Sequence, residues 1–420
     1  MRTDGLDTRE AALAHAIVDQ AVRRWTTIEH LIRVCAMREP AEFEPRLRAA
    51  LLSGGVQLLF LDRIPDHAAI DQTVEWAKTR IRPGAAGITN AVLRRLSSVR
   101  ASDASRTRIL DDRWEDRRDE LPLSSGGSLR LAGDALPSDS IERWAVSTGL
   151  PRDLLSKWDR DWGSERARDL AVHAMMQPPT ILNVSHAESR LPADLTEPHS
   201  IAGFAVFQGD RGALSRMLNA RRDVWVQDSS AGEAVNAIAA IDAARIVDVC
   251  AGRGTKTRQL RATFPGASII ASDTDRARLA QLEEIVASDE RVAVVDSASL
   301  ARSCNGRADL ALLDVPCSNT GVLARRVEAR HRYSPEQSQR LREVQIGIVE
   351  QSLNLVRSGG WVLYSTCSIE PEENEALVRL ACDRFGVRLE AMHRTMPVGK
   401  PGEPPQLYRD GSFWALLQRR

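Results

Sequence analysis

The sequence predicts an α/β protein in which an all-helical domain precedes a doubly wound, mostly parallel sheet. Three observations carry this. From about residue 228 strand-like and helix-like segments alternate, the pattern of a parallel sheet covered on both faces. The first strand of that half runs into a glycine-containing loop and then a helix. Over residues 8–97, apolar residues recur at helical spacing and breakers are sparse.

Taken in order, Leu13, Ile17, Ala21 and Trp25 share one helical face, and Val56, Leu59 and Phe60 mark a second helical block. Asp66 is placed to cap a helix over 67–78 with Ile70, Val74 and Ala77 on one side. Pro83 to Gly87 interrupt the chain before a last helix from Asn90. The helical domain is therefore expected over 1–97. Residues 98–140 read as a linker or insertion, with a hairpin about Gly126-Gly127. Residues 141–227 read as a small α+β subdomain: helices carrying Trp144, Leu154, Leu155 and Trp158, then short strands at 181–184, 204–207 and 224–226. The catalytic-type domain is expected over 228–420, with strands at 245–250, 268–273, 292–295, 310–314, 361–365 and 413–417.

Composition narrows the function. The 57 basic and 57 acidic residues sum to zero, which excludes a polycation that coats nucleic acid by bulk charge. Of the basic residues only Lys78, Lys157, Lys256 and Lys400 are lysines, a bias that reads as a GC-rich genome. No apolar run reaches the roughly 20 residues of a membrane span, and the first residues carry no signal-peptide core. The six cysteines lack CxxC spacing, so neither a disulfide framework nor a structural metal site is expected. A reduced cytoplasm is the expected compartment.

The loop from Asp248 to Thr257 follows the first strand, where ligands lie in such sheets. Gly252 and Gly254 allow close backbone approach. The spacing fits neither a phosphate-binding GxxxxGK[ST] loop nor GxGxxG. Asp273 ends the second strand, 23 residues after Cys250, where a carboxylate would grip a ribose hydroxyl pair; a helix cap is its other role. Asp296 follows the third strand and would accept from an adenine amino group or close a turn, and Asp314 ends the fourth. A ribose and an adenine without phosphate describe S-adenosylmethionine.

Two cysteines then fall at strand ends on the same rim: Cys317 in Asp314-Val-Pro-Cys-Ser-Asn-Thr-Gly321 and Cys367 in Ser365-Thr-Cys-Ser-Ile-Glu-Pro371. Pro371 is placed to open the next helix, whose N-terminus would favour a Cys367 thiolate; Glu370, Glu372 and Glu373 oppose it, and are also ordinary helix-start residues. Cys35, Cys304 and Cys382 read as core. A thiolate beside a methyl donor suits carbon 5 of a pyrimidine, which becomes nucleophilic once sulfur adds at carbon 6. An acid near ring nitrogen 3 would stabilise the adduct, and Asp314 is the candidate, protonated when it donates. Residue reading alone does not rank the two cysteines.

These residues resemble the RsmB/Fmu (Sun) type of bacterial ribosomal RNA cytosine-5 methyltransferase, within the NOL/NOP/Sun family. The resemblance spans nearly the whole chain. It rests on the two cysteine motifs, on Asp410-Gly-Ser-Phe-Trp414, on Trp225-Val-Gln-Asp228, and on Leu61-Asp-Arg-Ile-Pro65 with Asn90 to Arg95 in the helical half. It implies a Rossmann-like methyltransferase domain behind a NusB-like RNA-binding domain. It further implies Cys367 as nucleophile and Cys317 as the residue that helps break down the adduct. The cofactor pocket would comprise Cys250, Ala251, Gly252, Arg253, Gly254, Thr255 and Lys256 with Asp273, Asp296 and Asp314. The family loop usually reads Ala-Pro-Gly-Gly-Lys; here one glycine and the proline are lost, so a different loop backbone is expected. A usual Lys-Trp pair is replaced by Arg330-His331.

RNA is the expected partner, specifically unassembled 16S ribosomal RNA, bound by a monomer with no metal and no membrane. A target base must leave its stack to meet a thiolate, so unpaired RNA is expected. Arg325, Arg326, Arg330 and Arg332 read as a phosphate clamp or as a solvated helix face, and residues 81–100 add four arginines without an acid. Two other functions fit parts of the sequence: a transfer RNA cytosine-5 methyltransferase, and a non-catalytic NusB-like RNA-binding or assembly factor.

Overall fold

The computed structural model describes residues 5–103, 108–304 and 306–420. It divides into two compact units, one of residues 1–177 with 323–331 and 400–403, the other of 178–322, 332–399 and 404–420.

The first unit begins with five helices, α1 (Thr8–Arg23), α2 (Trp25–Ala36), α3 (Pro45–Phe60), α4 (Asp66–Arg80) and α5 (Ala85–Ser98). Asp7 and Glu10 close a reciprocal capping box on α1. Ile28, Leu31, Leu51, Leu58, Leu93 and Leu96 are fully buried between α2, α3 and α5. Gly54 and Gly55 let α3 approach its neighbours, since a Cβ at Gly55 would lie 2.7 Å from Ile28. Asp66 does not cap α4. Pro65 holds that position, and the Asp66 carboxylate instead takes Ser97 Oγ at 2.6 Å and the Arg100 guanidinium.

Residues 108–140, within the stretch read from the sequence as a linker or insertion, carry a small sheet. Strands β1 (Leu110–Asp111), β2 (Glu120–Pro122) and β3 (Ser128–Arg130) form an antiparallel sheet in the order β1-β3-β2. Leu121, Leu129, Leu131 and Leu136 join the same core as the helices. The hairpin turns at Gly126 and Gly127, both at positive φ. The unit continues through α6 (Ser140–Thr148), α7 (Arg152–Trp162) and α8 (Ser164–His173).

The second unit opens with strands β4 (Thr180–Asn183), β5 (Thr196–Pro198), β6 (Phe204–Phe207) and β7 (Trp225–Val226), a small antiparallel sheet in the order β5-β6-β4-β7 with helix α9 (Arg211–Ala220). The large sheet follows α10 (Ser229–Asn236). Its strands are β8 (Arg245–Asp248), β9 (Ser268–Asp273), β10 (Val292–Asp296), β11 (Ala308–Asp314), β12 (Val356–Thr366), β13 (Arg388–Thr395) and β14 (Ser412–Gln418), in the order β10-β9-β8-β11-β12-β14-β13. Strands β8 to β12 pair in parallel, and β14 runs antiparallel between β12 and β13. Helices α11 (Thr255–Thr263), α12 (Arg276–Val286), α13 (Leu300–Cys304), α14 (Pro335–Leu353) and α15 (Glu375–Phe385) cover two cores, one on each face. The chain order reverses beside β8 and β11, which puts the ligand crevice at the ends of those strands. Among the described residues no helix is long and apolar enough to cross a membrane.

Candidate active site

The glycine loop is built by two left-handed residues. Gly252 has φ +57° and Gly254 φ +81°, so the loop turns twice without the family's proline. A Cβ at Gly254 would collide with Leu282, whereas one at Gly252 would meet nothing within 4 Å. The amide of Gly252 donates to Asp273 Oδ2 at 2.9 Å, tying loop to strand end. Asp273 is not the cap of α12; that role falls to Asp275, whose side chain accepts from Ala277 N and Arg278 N. Asp296 is engaged by its own turn, accepting from the amide and hydroxyl of Ser299 at 2.8 and 3.2 Å. Those bonds lower its pKa.

Asp248 lies fully buried at the end of β8. Oδ2 accepts from Thr257 Oγ1 at 2.7 Å, and Oδ1 has no hydrogen-bond partner. Burial pushes its pKa up to about 7. Cys250 is pushed to about 12 by burial and by the acids around it, so it is an inert thiol. An open face at Gly252 and the strand-end carboxylates Asp273 and Asp296 fit the donor groups of S-adenosylmethionine.

Lys256, in the first turn of α11, donates to Asp314 Oδ1 at 2.7 Å, and Ser365 Oγ donates to the same oxygen at 3.0 Å. Asp314 Oδ1 thus accepts two hydrogen bonds, which leaves Oδ2 free.

The two cysteines meet. Cys317 Sγ lies 3.3 Å from Cys367 Sγ. Cys367 is half-buried and lines a small open cleft with Ser230, Lys256, Thr366 and Asp410 to Phe413, whereas Cys317 is buried. The hydrogen bond to Cys367, then burial, raise the Cys317 pKa well above that of a free thiol.

Glu373 is the residue that the sequence reading misplaced. It is fully buried, and its carboxylate accepts from Ser318 N at 2.9 Å, Gln345 Nε2 at 2.9 Å and Ser368 Oγ at 3.0 Å. It therefore clamps the residue after each cysteine. Helix α15 starts at Glu375, not at Pro371, so its N-terminus is displaced from Cys367. A hydrogen-bonded backbone stack completes the frame: Gly321 N donates to Cys367 O at 3.0 Å, and Gly411 N to Gly321 O at 2.7 Å. Spacing carried no sign of Asn319, whose side chain touches both cysteine loops.

The arginine stretch does not form a continuous clamp. Arg330 is 1% exposed, with its guanidinium donating to the carbonyls of Arg23, Thr148, Ala174, Leu323 and Val327 at 2.8–3.3 Å. It is an internal brace of the first unit, and burial beside Arg23 and Arg24 lowers its pKa to about 9. Arg326 and Arg332 are exposed and Arg325 half-buried. In the 81–100 stretch Arg100 is likewise buried, donating to Leu58 O, and Arg82 pairs with Glu44.

Sheet order, glycine loop and strand-end acids define a Rossmann-like methyltransferase domain. Residues 235–417 match the family described as 16S rRNA methyltransferase RsmB/F, and residues 1–98 match the NusB family. Ribosomal RNA small subunit methyltransferase B of Xanthomonas campestris is 30% identical over 98% of this chain and 89% of its own length. The protein of the same name from Thermus thermophilus is 27% identical, over 98% and 89%. In structure, PH0851 superposes with a TM-score of 0.75 at 19% identity, covering 99% of this chain and 92% of that one. A methyltransferase homologue from Pyrococcus horikoshii gives 0.54 at 21% identity, over 68% and 100%. At these identities the likeness speaks to fold alone. The chain belongs to the RsmB/F family of S-adenosylmethionine-dependent RNA methyltransferases.

Proposed function

We propose that this enzyme methylates carbon 5 of a cytosine in unassembled 16S ribosomal RNA, in the cytoplasm, through a covalent Cys367–cytosine adduct. The observation that carries the reading is the pair of sulfurs 3.3 Å apart, one opening on the cleft and one buried. S-adenosylmethionine, held by the Cys250–Lys256 loop with Asp273, Asp296 and Asp314, supplies an electrophilic methyl group when bound.

The chain's own residues do the rest. The Cys367 thiolate forms a bond to carbon 6, and the ring's electron pair moves toward nitrogen 3 and carbon 5. Lys256 holds the proton that nitrogen 3 takes up. Asp314, with both of its bonds on Oδ1, offers Oδ2 to the base's amino edge. After carbon 5 is methylated, Cys317, its own proton released to solvent, takes the carbon 5 proton; the electron pair left behind restores the ring double bond and expels the Cys367 sulfur as nitrogen 3 returns its proton to Lys256. Arg326 and Arg332 contact phosphates of the strand.

The test is incubation with labelled methyl donor and protein-free 16S RNA. Expected is 5-methylcytosine with wild type and none with Cys367→Ala, while that variant still binds the donor. No product on any RNA, or wild-type turnover by Cys367→Ala, would contradict the reading. Product on transfer RNA alone would move the substrate assignment and keep the chemistry.

A further inference from the structure

We propose that Asn319 is a positioning residue for the Cys367 sulfur, an inference that rests on Cys367 being the nucleophile. Asn319 sits at φ +62°, the left-handed region that asparagine tolerates better than most residues. That conformation lays its carboxamide across both cysteine loops. Nδ2 donates to the carbonyl of Cys317 at 2.8 Å. A carbonyl can only accept, so this bond fixes the amide and leaves Oδ1 facing the other loop. There it accepts the Cys367 S–H at 3.2 Å. With Cys317 Sγ at 3.3 Å on another side, the Cys367 sulfur is held by two contacts and opens on the cleft.

The arrangement has a chemical consequence. The bond from sulfur to Oδ1 exists only while Cys367 carries its proton. Asn319 therefore sets where the Cys367 sulfur sits between the Cys317 sulfur and the cleft before attack. When the base arrives the S–H proton leaves to solvent, and the tether is released as the sulfur attacks carbon 6. A displacement of about 1 Å at a reacting atom costs roughly a hundredfold in rate, so a residue that sets this sulfur bears on turnover more than on binding.

Two substitutions separate placement from folding. Asn319→Gly keeps the left-handed backbone and removes the carboxamide; Asn319→Asp keeps an acceptor and adds a negative charge beside the sulfur. Alkylation of Cys367 by iodoacetamide is followed by mass spectrometry of its peptide, and methyl transfer by single turnover on 16S RNA. Expected are faster Cys367 alkylation in Asn319→Gly and slower alkylation in Asn319→Asp. Methyl transfer should fall at least about tenfold in both, with the RNA KM little changed. A general folding defect would not give the two variants opposite signs. Wild-type alkylation in both overturns the inference at the contact itself. Altered alkylation with wild-type methyl transfer overturns it through the reading of Cys367 as nucleophile.

Discussion

Asp248 carries a pH signature. Burial raises its pKa to about 7; Thr257 and Lys256 pull it down, and Asp314 and Asp273 push it further up. An unfolded carboxylate titrates near 4, so between roughly pH 4 and pH 7 the folded chain holds a proton that the unfolded chain has released. Stability from this residue is therefore full below that window and declines as pH rises through it, by up to about 1.4 kcal/mol per pH unit. Asp248→Asn keeps an acceptor for Thr257 and removes the titration. Urea denaturation across pH 4–8 should show a flatter profile for the variant, with its largest relative gain above pH 7. Identical profiles would show that the buried carboxyl does not titrate in this range.

Among the elements, the parallel half of the large sheet was legible because buried strands such as Leu310 to Leu313 are unbroken apolar runs between helices. Strand β13 was not, because it is an edge strand whose Glu390, His393 and Arg394 follow no apolar alternation. Both cysteine loops were legible from their position after strands. Glu373 was not, because an acid two residues before a helix reads as a helix-start residue until the chain folds it under Ser318 and Ser368. Arg330 was misread for a similar reason: a charge-rich stretch looks solvated unless carbonyls happen to converge on it. The loop stack makes its own prediction. A Cβ on Gly321 would lie 2.6 Å from Gly411 O and 2.8 Å from Cys367 O, both backbone atoms that cannot rotate away. Gly321→Ala should cost about 1–3 kcal/mol in urea denaturation, and kcat should fall further than that loss explains, because Cys367 must shift. Wild-type kcat at wild-type stability would show that the stack is not rigid.

For the whole molecule, a net charge of zero is compatible with RNA as substrate because the arginines are divided between two jobs. Arg330 and Arg100 brace the first unit from inside, whereas Arg326 and Arg332 are exposed, and Arg326 is the one proposed for phosphate. Arg330→Met should destabilise the chain by about 3 kcal/mol, since it removes a buried guanidinium donor from five carbonyls, of which Ala174 O keeps Arg23, and leave the salt slope of RNA binding unchanged. Arg326→Ala should do the reverse, lowering the slope by about one unit at unchanged stability. A reduced slope in Arg330→Met would return that residue to the RNA surface. The central claim is the division of labour between two sulfurs 3.3 Å apart. Its most direct test is Cys317→Ala incubated with methyl donor and 16S RNA, followed by nuclease digestion and peptide mapping of the trapped protein. The account predicts a methylated cytosine joined to the Cys367 peptide; a nucleotide joined elsewhere, or no trapped species at a normal rate of turnover, would contradict it.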